Sequence, residues 1–213
     1  NRNPTIAPYA SIGEVKLRLT AKASNYSEAN NLIKPLEKDL INRIGSNCYG
    51  FDEDTLSSVL IDILRHRQQT LSVAESCSGG GLGAELTSVS GASDVFLGGV
   101  ISYNNSIKES LLGIPKPVIE QYGAVSQEVV ELMAKGVRNL CKSDWSIAIS
   151  GITGPGGGSK TKPIGLVHIA IAGPYGTESK PEFFKAWQGR TIIQKLSVVS
   201  SLNRLRLLLL SRS

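Results

Sequence analysis

Along the first fifty residues, the spacing of hydrophobic and polar positions predicts a small unit with one clear strand and one helix. Residues 1–13 contain two prolines and little periodicity, which predicts an extended lead-in. Apolar and polar residues alternate over 14–22, as in a strand with one exposed face. Helical spacing follows over 27–44, where Pro35 predicts a kinked or divided helix. A short strand near 47–51 completes the unit.

From residue 52 onward, strand-like and helix-like patterns alternate. Early acids and a single apolar face predict a helix over 52–67. The next elements are strands at 70–75, 97–103 and 145–150 and helices at 80–89, 105–112 and 127–141, the last capped by Ser126. Near the end of the chain, the pattern predicts a hairpin formed by strands at 164–172 and 182–188, followed by a final helix over 191–210.

This order of elements predicts the fold class. We expect a three-layer α/β/α domain over 51–213, with a mixed, mostly parallel sheet. A small α/β unit over 1–50 precedes it, as a middle domain or a linker unit.

Composition and charge narrow the classes of function. The 213 residues include 23 Lys and Arg against 18 Asp and Glu, a net charge of +5. Because these positive charges are scattered, they favour small anionic ligands and argue against direct binding of nucleic acid. No apolar run reaches the ~18 residues of a membrane span, so we expect no membrane contact.

The cysteines indicate the compartment. Cys48, Cys77 and Cys141 are far apart and form no CxxC pair, so we expect neither a disulfide framework nor a metal site. This usage fits a reducing cytosol, and we expect a cytoplasmic protein without a cofactor. The chain begins with Asn rather than Met, which we interpret as the mark of a piece of a longer protein.

Three polar loops, 75–81, 103–108 and 151–163, follow predicted strands. Ligands bind beyond the carboxyl ends of parallel strands, so we expect these loops to form one site. The glycines of 151–163 allow backbone N–H groups to converge on an anion, although a flexible surface loop would have the same composition. This loop is not a Walker motif, because Ser159 stands where the glycine before Lys160 is required.

The first loop also matches a dinucleotide-binding pattern, G-x-G-x-x-A, through Gly79, Gly81 and Ala84. That site requires an acid about 20 residues later to hold a ribose. Residues 98–103 contain no acid, which argues against this interpretation.

Ser76 or Cys77 could act as a nucleophile if a base lies nearby. Neither histidine is well placed to act as this base. His66 is predicted to lie on the surface of a helix, and His168 in the middle of a strand. Lys108 is the alternative base, since burial and the start of a helix both favour its neutral form. The competing interpretation is that Lys108 is an ordinary solvated lysine.

The start of the helix after Ser76 predicts backbone donors. The N–H groups of Ser78, Gly79 and Gly80 are expected to be free and to bind an oxyanion or a phosphate. Ser76 and Ser78 could instead be helix-capping hydroxyls.

Five ordered motifs, "AESCSGG", "SYNNSIK", "GAVS", "GITGPGGG" and "KPIG", resemble those of the CinA C-terminal domain family, which includes nicotinamide mononucleotide deamidases. The resemblance runs from about residue 54 to the end. Residues 1–50 resemble the small middle segment of full-length CinA proteins, in which a further N-terminal domain comes first.

The resemblance implies hydrolysis of nicotinamide mononucleotide to nicotinic acid mononucleotide and ammonia, within pyridine nucleotide salvage. It implies that Ser76, Tyr103 and Lys108 are catalytic. The positions implied to bind substrate are Ser78, Gly79, Gly80, Asn105, Thr153, Gly154, Gly156, Gly157 and Arg190. Ser78 replaces the usual Thr, Thr153 the usual Ala, and Gly189 a frequent acid next to Arg190.

A second hypothesis is a catalytically silent nucleotide-binding or interaction module in competence or the DNA-damage response. The retained Ser76, Tyr103 and Lys108 favour the enzyme. The apolar end of the last helix, 202–210, reads as a core-packing surface, and it also makes a homo-oligomer plausible.

Overall fold

The computed structural model describes residues 3–212. Its first unit, Asn1–Asp52, contains one hairpin and one long helix. Strand β1 (Thr5–Ser11) pairs antiparallel with β2 (Glu14–Thr20) around a two-residue turn in which Gly13 has φ +83°. Helix α1 (Tyr26–Ile44) begins at Asn25, whose side chain accepts a hydrogen bond from the N–H of Glu28.

Two expectations for this unit are wrong, and a third is wrong in part. The lead-in contains a paired strand, because the prolines at positions 4 and 8 hid the pattern of an edge strand that tolerates them. No strand forms near 47–51, where a 3₁₀ turn (Gly45–Asn47) ends the helix. Pro35 does not divide α1, since its missing N–H removes only one hydrogen bond of a 19-residue helix.

The second unit, Glu53–Ser213, alternates helices and strands. Its first elements are α2 (Leu56–His66), β3 (Leu71–Glu75), α3 (Gly81–Thr87), β4 (Phe96–Ile101), α4 (Asn105–Leu112) and α5 (Lys116–Tyr122). They are followed by α6 (Gln127–Cys141), β5 (Trp145–Gly151), β6 (Leu166–Gly173), β7 (Gly176–Phe183) and α7 (Arg190–Leu210).

The five strands form one mixed sheet in the order β4-β3-β5-β6-β7. Strand β3 is parallel to both β4 and β5, and β6 is antiparallel to β5 and β7. Glu75, the last residue of β3, lies opposite Ile101 and Ile149. The chain therefore leaves β3, β4 and β5 at one edge of the sheet, as predicted.

Helices cover both faces of this sheet, which confirms the predicted α/β class. Helix α6, with α4 and α5 against it, packs on the face that presents Ala74, Ala148 and Ala170. Helices α2, α3 and α7 contact one another and form the other layer. Residues that alternate with those alanines, such as Ile147 and Ile169, are fully buried on that second face.

Several boundaries differ from the prediction. Helix α2 begins at Leu56, because Thr55 and Ser58 form a reciprocal capping box. Strand β7 begins directly after a two-residue turn, so the predicted strand at 182–188 lies too late in the chain. Helix α5 was not predicted, since it is short, contains Pro117 in its first turn and has no side-chain N-cap. In the described part of the chain, none of the helices combines the length and the apolar content that a membrane crossing requires.

Candidate active site

The loop after β3 carries Ser76 on a tight turn. The Ser76 N–H donates to the carbonyl of Ile149 at 2.9 Å, which continues the sheet by one residue. Gly79 and Gly80 then have φ values of +65° and +99°, a region that side chains rarely tolerate. These two glycines let the chain reverse and enter α3 immediately after the candidate nucleophile.

Lys108 approaches Ser76 from the next loop. Its Nζ donates to the Ser102 carbonyl at 2.6 Å and lies 3.4 Å from the Ser76 Oγ. Asn104 caps α4 by accepting from the N–H of Ser106, and this places Lys108 one turn into the helix. The predicted meeting of a serine and a lysine, 32 positions apart, is present in the fold.

The surroundings of Lys108 favour a neutral amine. The residue is only 1% exposed, and burial lowers its pKa. Among the described residues, no ion pair includes Lys108. A Cys77 thiolate would oppose this shift, but burial raises the pKa of Cys77 to about 12, so that thiol is protonated at neutral pH.

A cleft of about 250 Å³ opens beside Ser76. It is lined by Ser76 and Cys77 from the first loop, by Tyr103 from the second, and by residues of 151–157 from the third. Within the described chain, the backbone N–H groups of Gly154, Gly156 and Gly157 donate no hydrogen bond. The cleft therefore combines a candidate nucleophile with unused backbone donors.

Arg190, the first residue of α7, joins the second and third loops. Its Nη1 donates to the Thr153 Oγ1 at 2.9 Å and to the Gly154 carbonyl at 3.1 Å, and its Nη2 donates to the Tyr103 hydroxyl at 3.0 Å. The Arg190 guanidinium is thus held at the cleft although its neighbour Gly189 has no side chain to orient it. The Tyr103 hydroxyl is bound to Arg190 and bonds neither to Ser76 nor to Lys108.

The expectation of free N–H groups at the start of α3 is wrong for two of its three residues. The N–H of Gly79 donates to the Ser76 carbonyl, and the N–H of Gly80 donates to the Glu75 carboxylate. Neither glycine lines the cleft. No hydrogen bond of the Ser78 N–H occurs within residues 3–212, and the buried Ser78 hydroxyl has no partner there either.

Asn105 also departs from its expected position. It is an exposed residue at the start of α4 and is not among the residues that line the cleft. The histidines lie elsewhere: His66 is exposed on α2, where its Nδ1 is 2.7 Å from the Asp62 carbonyl, and His168 lies within β6.

Two residues near the site were not assigned a role from the sequence. Glu75 accepts three backbone hydrogen bonds from the start of α3. Gln194 donates to the Cys77 carbonyl at 2.7 Å from one turn into α7. An acid ending a buried strand was a usable signal for Glu75, whereas nothing in the local sequence singles out Gln194.

Comparison with known proteins assigns the family. Residues 53–209 match the CinA C-terminal domain, and residues 1–50 match the damage-inducible protein CinA KH domain. A CinA-like protein of Prochlorococcus marinus strain MIT 9313 is 54% identical over 99% of this chain and 49% of its own length. A second, from Parasynechococcus marenigrum strain WH8102, is 53% identical over 99% of this chain and 50% of its own. The chain thus spans about half the length of these relatives.

Solved structures agree with this assignment. The competence/damage inducible protein CihA of Agrobacterium tumefaciens is 34% identical with a TM-score of 0.70, over 72% of this chain and 93% of that one. A competence-damaged protein (CinA) superfamily protein of Escherichia coli is 29% identical with a TM-score of 0.68, over 77% of this chain and 98% of that one. The chain belongs to the CinA family.

Proposed function

We propose that this chain is an amidohydrolase that converts nicotinamide mononucleotide to nicotinic acid mononucleotide and ammonia. One contact carries the chemical part of the proposal: the Lys108 Nζ lies 3.4 Å from the Ser76 Oγ in a buried setting. A buried, neutral lysine beside a serine hydroxyl is a known solution for activating a nucleophile. The substrate follows from the resemblance to nicotinamide mononucleotide deamidases.

In the first step, the Ser76 Oγ attacks the carboxamide carbon while its proton moves to the Lys108 Nζ. The distance of 3.4 Å is long for a hydrogen bond, and such contacts often shorten when substrate binds. The carboxamide oxygen takes up the negative charge of the tetrahedral intermediate.

In the second step, the C–N bond breaks and Lys108 returns its proton to the leaving nitrogen, which departs as ammonia. The product remains as an ester on Ser76. Water then attacks this ester, Lys108 accepts the proton of the water, and the Ser76 Oγ takes it back as the ester C–O bond breaks. Nicotinic acid mononucleotide is released and both side chains regain their starting state.

The developing oxyanion needs backbone donors, and Gly79 and Gly80 are already engaged. We assign this role to the N–H of Cys77, the donor that follows the nucleophile in the chain. Within the described residues, this N–H donates no hydrogen bond to another residue, and Cys77 lines the cleft. Loss of one such donor typically costs about 2.7–4 kcal/mol of transition-state stabilisation.

The substrate phosphate is assigned to the third loop and Arg190. The guanidinium supplies positive charge, and the unused N–H groups of Gly154, Gly156 and Gly157 supply backbone donors. When a phosphate oxygen takes the place of the Tyr103 hydroxyl on Nη2, that hydroxyl becomes available to the substrate.

The test is ammonia release from nicotinamide mononucleotide by the wild-type chain and by Lys108→Met. Lys116→Met is the matched control, because Lys116 is exposed and lies on a different helix. We expect activity in wild type and control, and its loss in Lys108→Met. Binding of the mononucleotide in calorimetry without ammonia release by wild type would contradict the proposal and favour a nucleotide-binding module.

A further inference from the structure

We propose that Glu75 is a positioning residue for the Ser76–Lys108 pair, a role that rests on the proposed function of the same site. Glu75 directly precedes the nucleophile and is 1% exposed. Its carboxylate makes none of the contacts described above for the cleft, and Glu75 is not among the residues that line the cleft. Any effect on chemistry must therefore pass through the residues that it holds.

The carboxylate holds the turn that carries Ser76. Its Oε2 accepts from the N–H groups of Gly80 and Leu82, both at 3.0 Å, and its Oε1 accepts from the N–H of Gly83 at 2.8 Å. The first N–H groups of a helix have no partner within it, and no other side chain caps α3. Glu75 thus fixes both ends of the segment from Ser76 to Gly80. Its peptide bond holds Ser76, and its carboxylate holds the N–H of Gly80.

The backbone of the same residue holds the lysine. The Glu75 carbonyl accepts from the Ser102 N–H at 2.7 Å, and the Ser102 carbonyl in turn accepts from the Lys108 Nζ at 2.6 Å. One residue therefore connects the loop of the nucleophile with the loop that orients the base. A shift of Glu75 changes the distance between the Ser76 Oγ and the Lys108 Nζ.

Only a glutamate satisfies this arrangement. The side chain of a glutamine has one accepting oxygen, and its NH₂ group would face N–H donors. The side chain of an aspartate is one methylene too short to reach all three donors. Arg190 and the third loop are held by other contacts, so substrate binding should survive the loss of this carboxylate while the chemical step does not.

The experiment compares Glu75→Gln and Glu75→Asp with the control Glu85→Gln. Glu85 lies on α3, the helix that Glu75 caps, and is exposed; among the described residues, its carboxylate accepts a hydrogen bond only from the Ser57 hydroxyl. Four quantities are measured in the full chain: kcat and KM for ammonia release from nicotinamide mononucleotide, the rate at which a fluorophosphonate reagent labels Ser76, and the thermal unfolding temperature.

We expect Glu75→Gln to lower kcat and the labelling rate by about tenfold to a hundredfold, the usual result of a small misplacement of reacting groups. KM should change little, Glu75→Asp should be intermediate, and Glu85→Gln should match wild type. If Glu75→Gln unfolds more easily but its folded fraction is labelled at the wild-type rate, Glu75 is only a structural cap and the inference is overturned. If Glu75→Gln does not fold, unchanged labelling of Glu75→Asp overturns it equally.

The reagent also separates this inference from the proposed function. If wild type is labelled at Ser76 in a Glu75-dependent way but releases no ammonia, the substrate assignment fails and the role of Glu75 stands. If Ser76 of wild type does not react at all, both proposals fall.

Discussion

The glycines of the loops after β3 and β5, which are the first and third loops of the site, use their backbone donors in opposite ways. In the first loop, the N–H groups of Gly79 and Gly80 are engaged within the chain. In the loop after β5, the N–H groups of Gly154 and Gly156 donate no hydrogen bond within the described residues. The glycine donors of the first loop therefore hold the turn that carries Ser76, and those of the third loop are available to a ligand. Glycine content alone does not distinguish these two roles.

The largest expected effect concerns Lys108, the proposed base. Lys108→Met removes the proposed proton acceptor, and activity should fall by about 10²- to 10⁴-fold, the usual contribution of general base catalysis. Affinity for the mononucleotide should be retained, because Lys108 does not line the cleft. Steady-state kinetics and calorimetry check both parts; loss of binding with unchanged kcat would contradict the role of Lys108 as the base.

The next effect concerns the ligand loop. Arg190→Met removes the positive charge beside Thr153, and KM for the mononucleotide should rise by about tenfold to a hundredfold, as expected for the loss of a charge-assisted hydrogen bond. Lys195→Met, an exposed residue of the same helix, is the matched control. A fall in kcat at constant KM would contradict the assignment of Arg190 to the phosphate.

A pair of glycine substitutions compares the loops directly. Gly80→Ala places a side chain at φ +99° and 3.0 Å from Ile101, so it should lower the free energy of unfolding by about 1–3 kcal/mol. Gly156→Ala meets open space at ordinary φ and should leave stability unchanged. Chemical denaturation measures both. Equal losses would mean that the third loop is as tightly fixed as the first.

A smaller effect depends on pH. Because burial lowers the pKa of Lys108 below its usual 10.5, the unfolded chain binds more protons than the folded one between these two pKa values. The contribution of Lys108 to the free energy of unfolding of wild type therefore rises with pH across that window. The free energy of unfolding of Lys108→Met should exceed that of wild type by the largest amount at low pH. This excess should shrink as pH approaches 10.5. Thermal unfolding across pH checks the sign, and a difference that grows with pH would show that Lys108 is charged in the fold.

The smallest effect distinguishes two roles of Tyr103. Its hydroxyl accepts from Arg190, so Tyr103→Phe should raise KM by only about threefold, in line with the loss of one exposed hydrogen bond. A fall in kcat of the size expected for Lys108→Met would instead place the phenol in the path of the proton.

The sequence predicted the meeting of Ser76 and Lys108 because buried parallel strands end at the same edge of a sheet, whatever their separation along the chain. It did not predict that the Gly80 N–H is bound by the Glu75 carboxylate. This contact depends on the direction in which the Glu75 side chain leaves β3, which the sequence pattern does not fix. The contact of Arg190 with Tyr103 joins positions 87 residues apart and has no local signal. The start of β7 was missed for a similar reason. This strand is the outermost one of the sheet, and its exposed polar residues lack the alternation of apolar and polar positions that predicts a strand.

The central claim is that Ser76 carries the acyl group during amide hydrolysis, and mass spectrometry of rapidly quenched turnover tests it most directly. During turnover of nicotinamide mononucleotide, the peptide that contains Ser76 should carry the mass of the acyl group of the product. Ser76→Ala should show neither this adduct nor ammonia release. Ammonia release at the wild-type rate by Ser76→Ala, with no adduct on the wild-type peptide, would contradict the account.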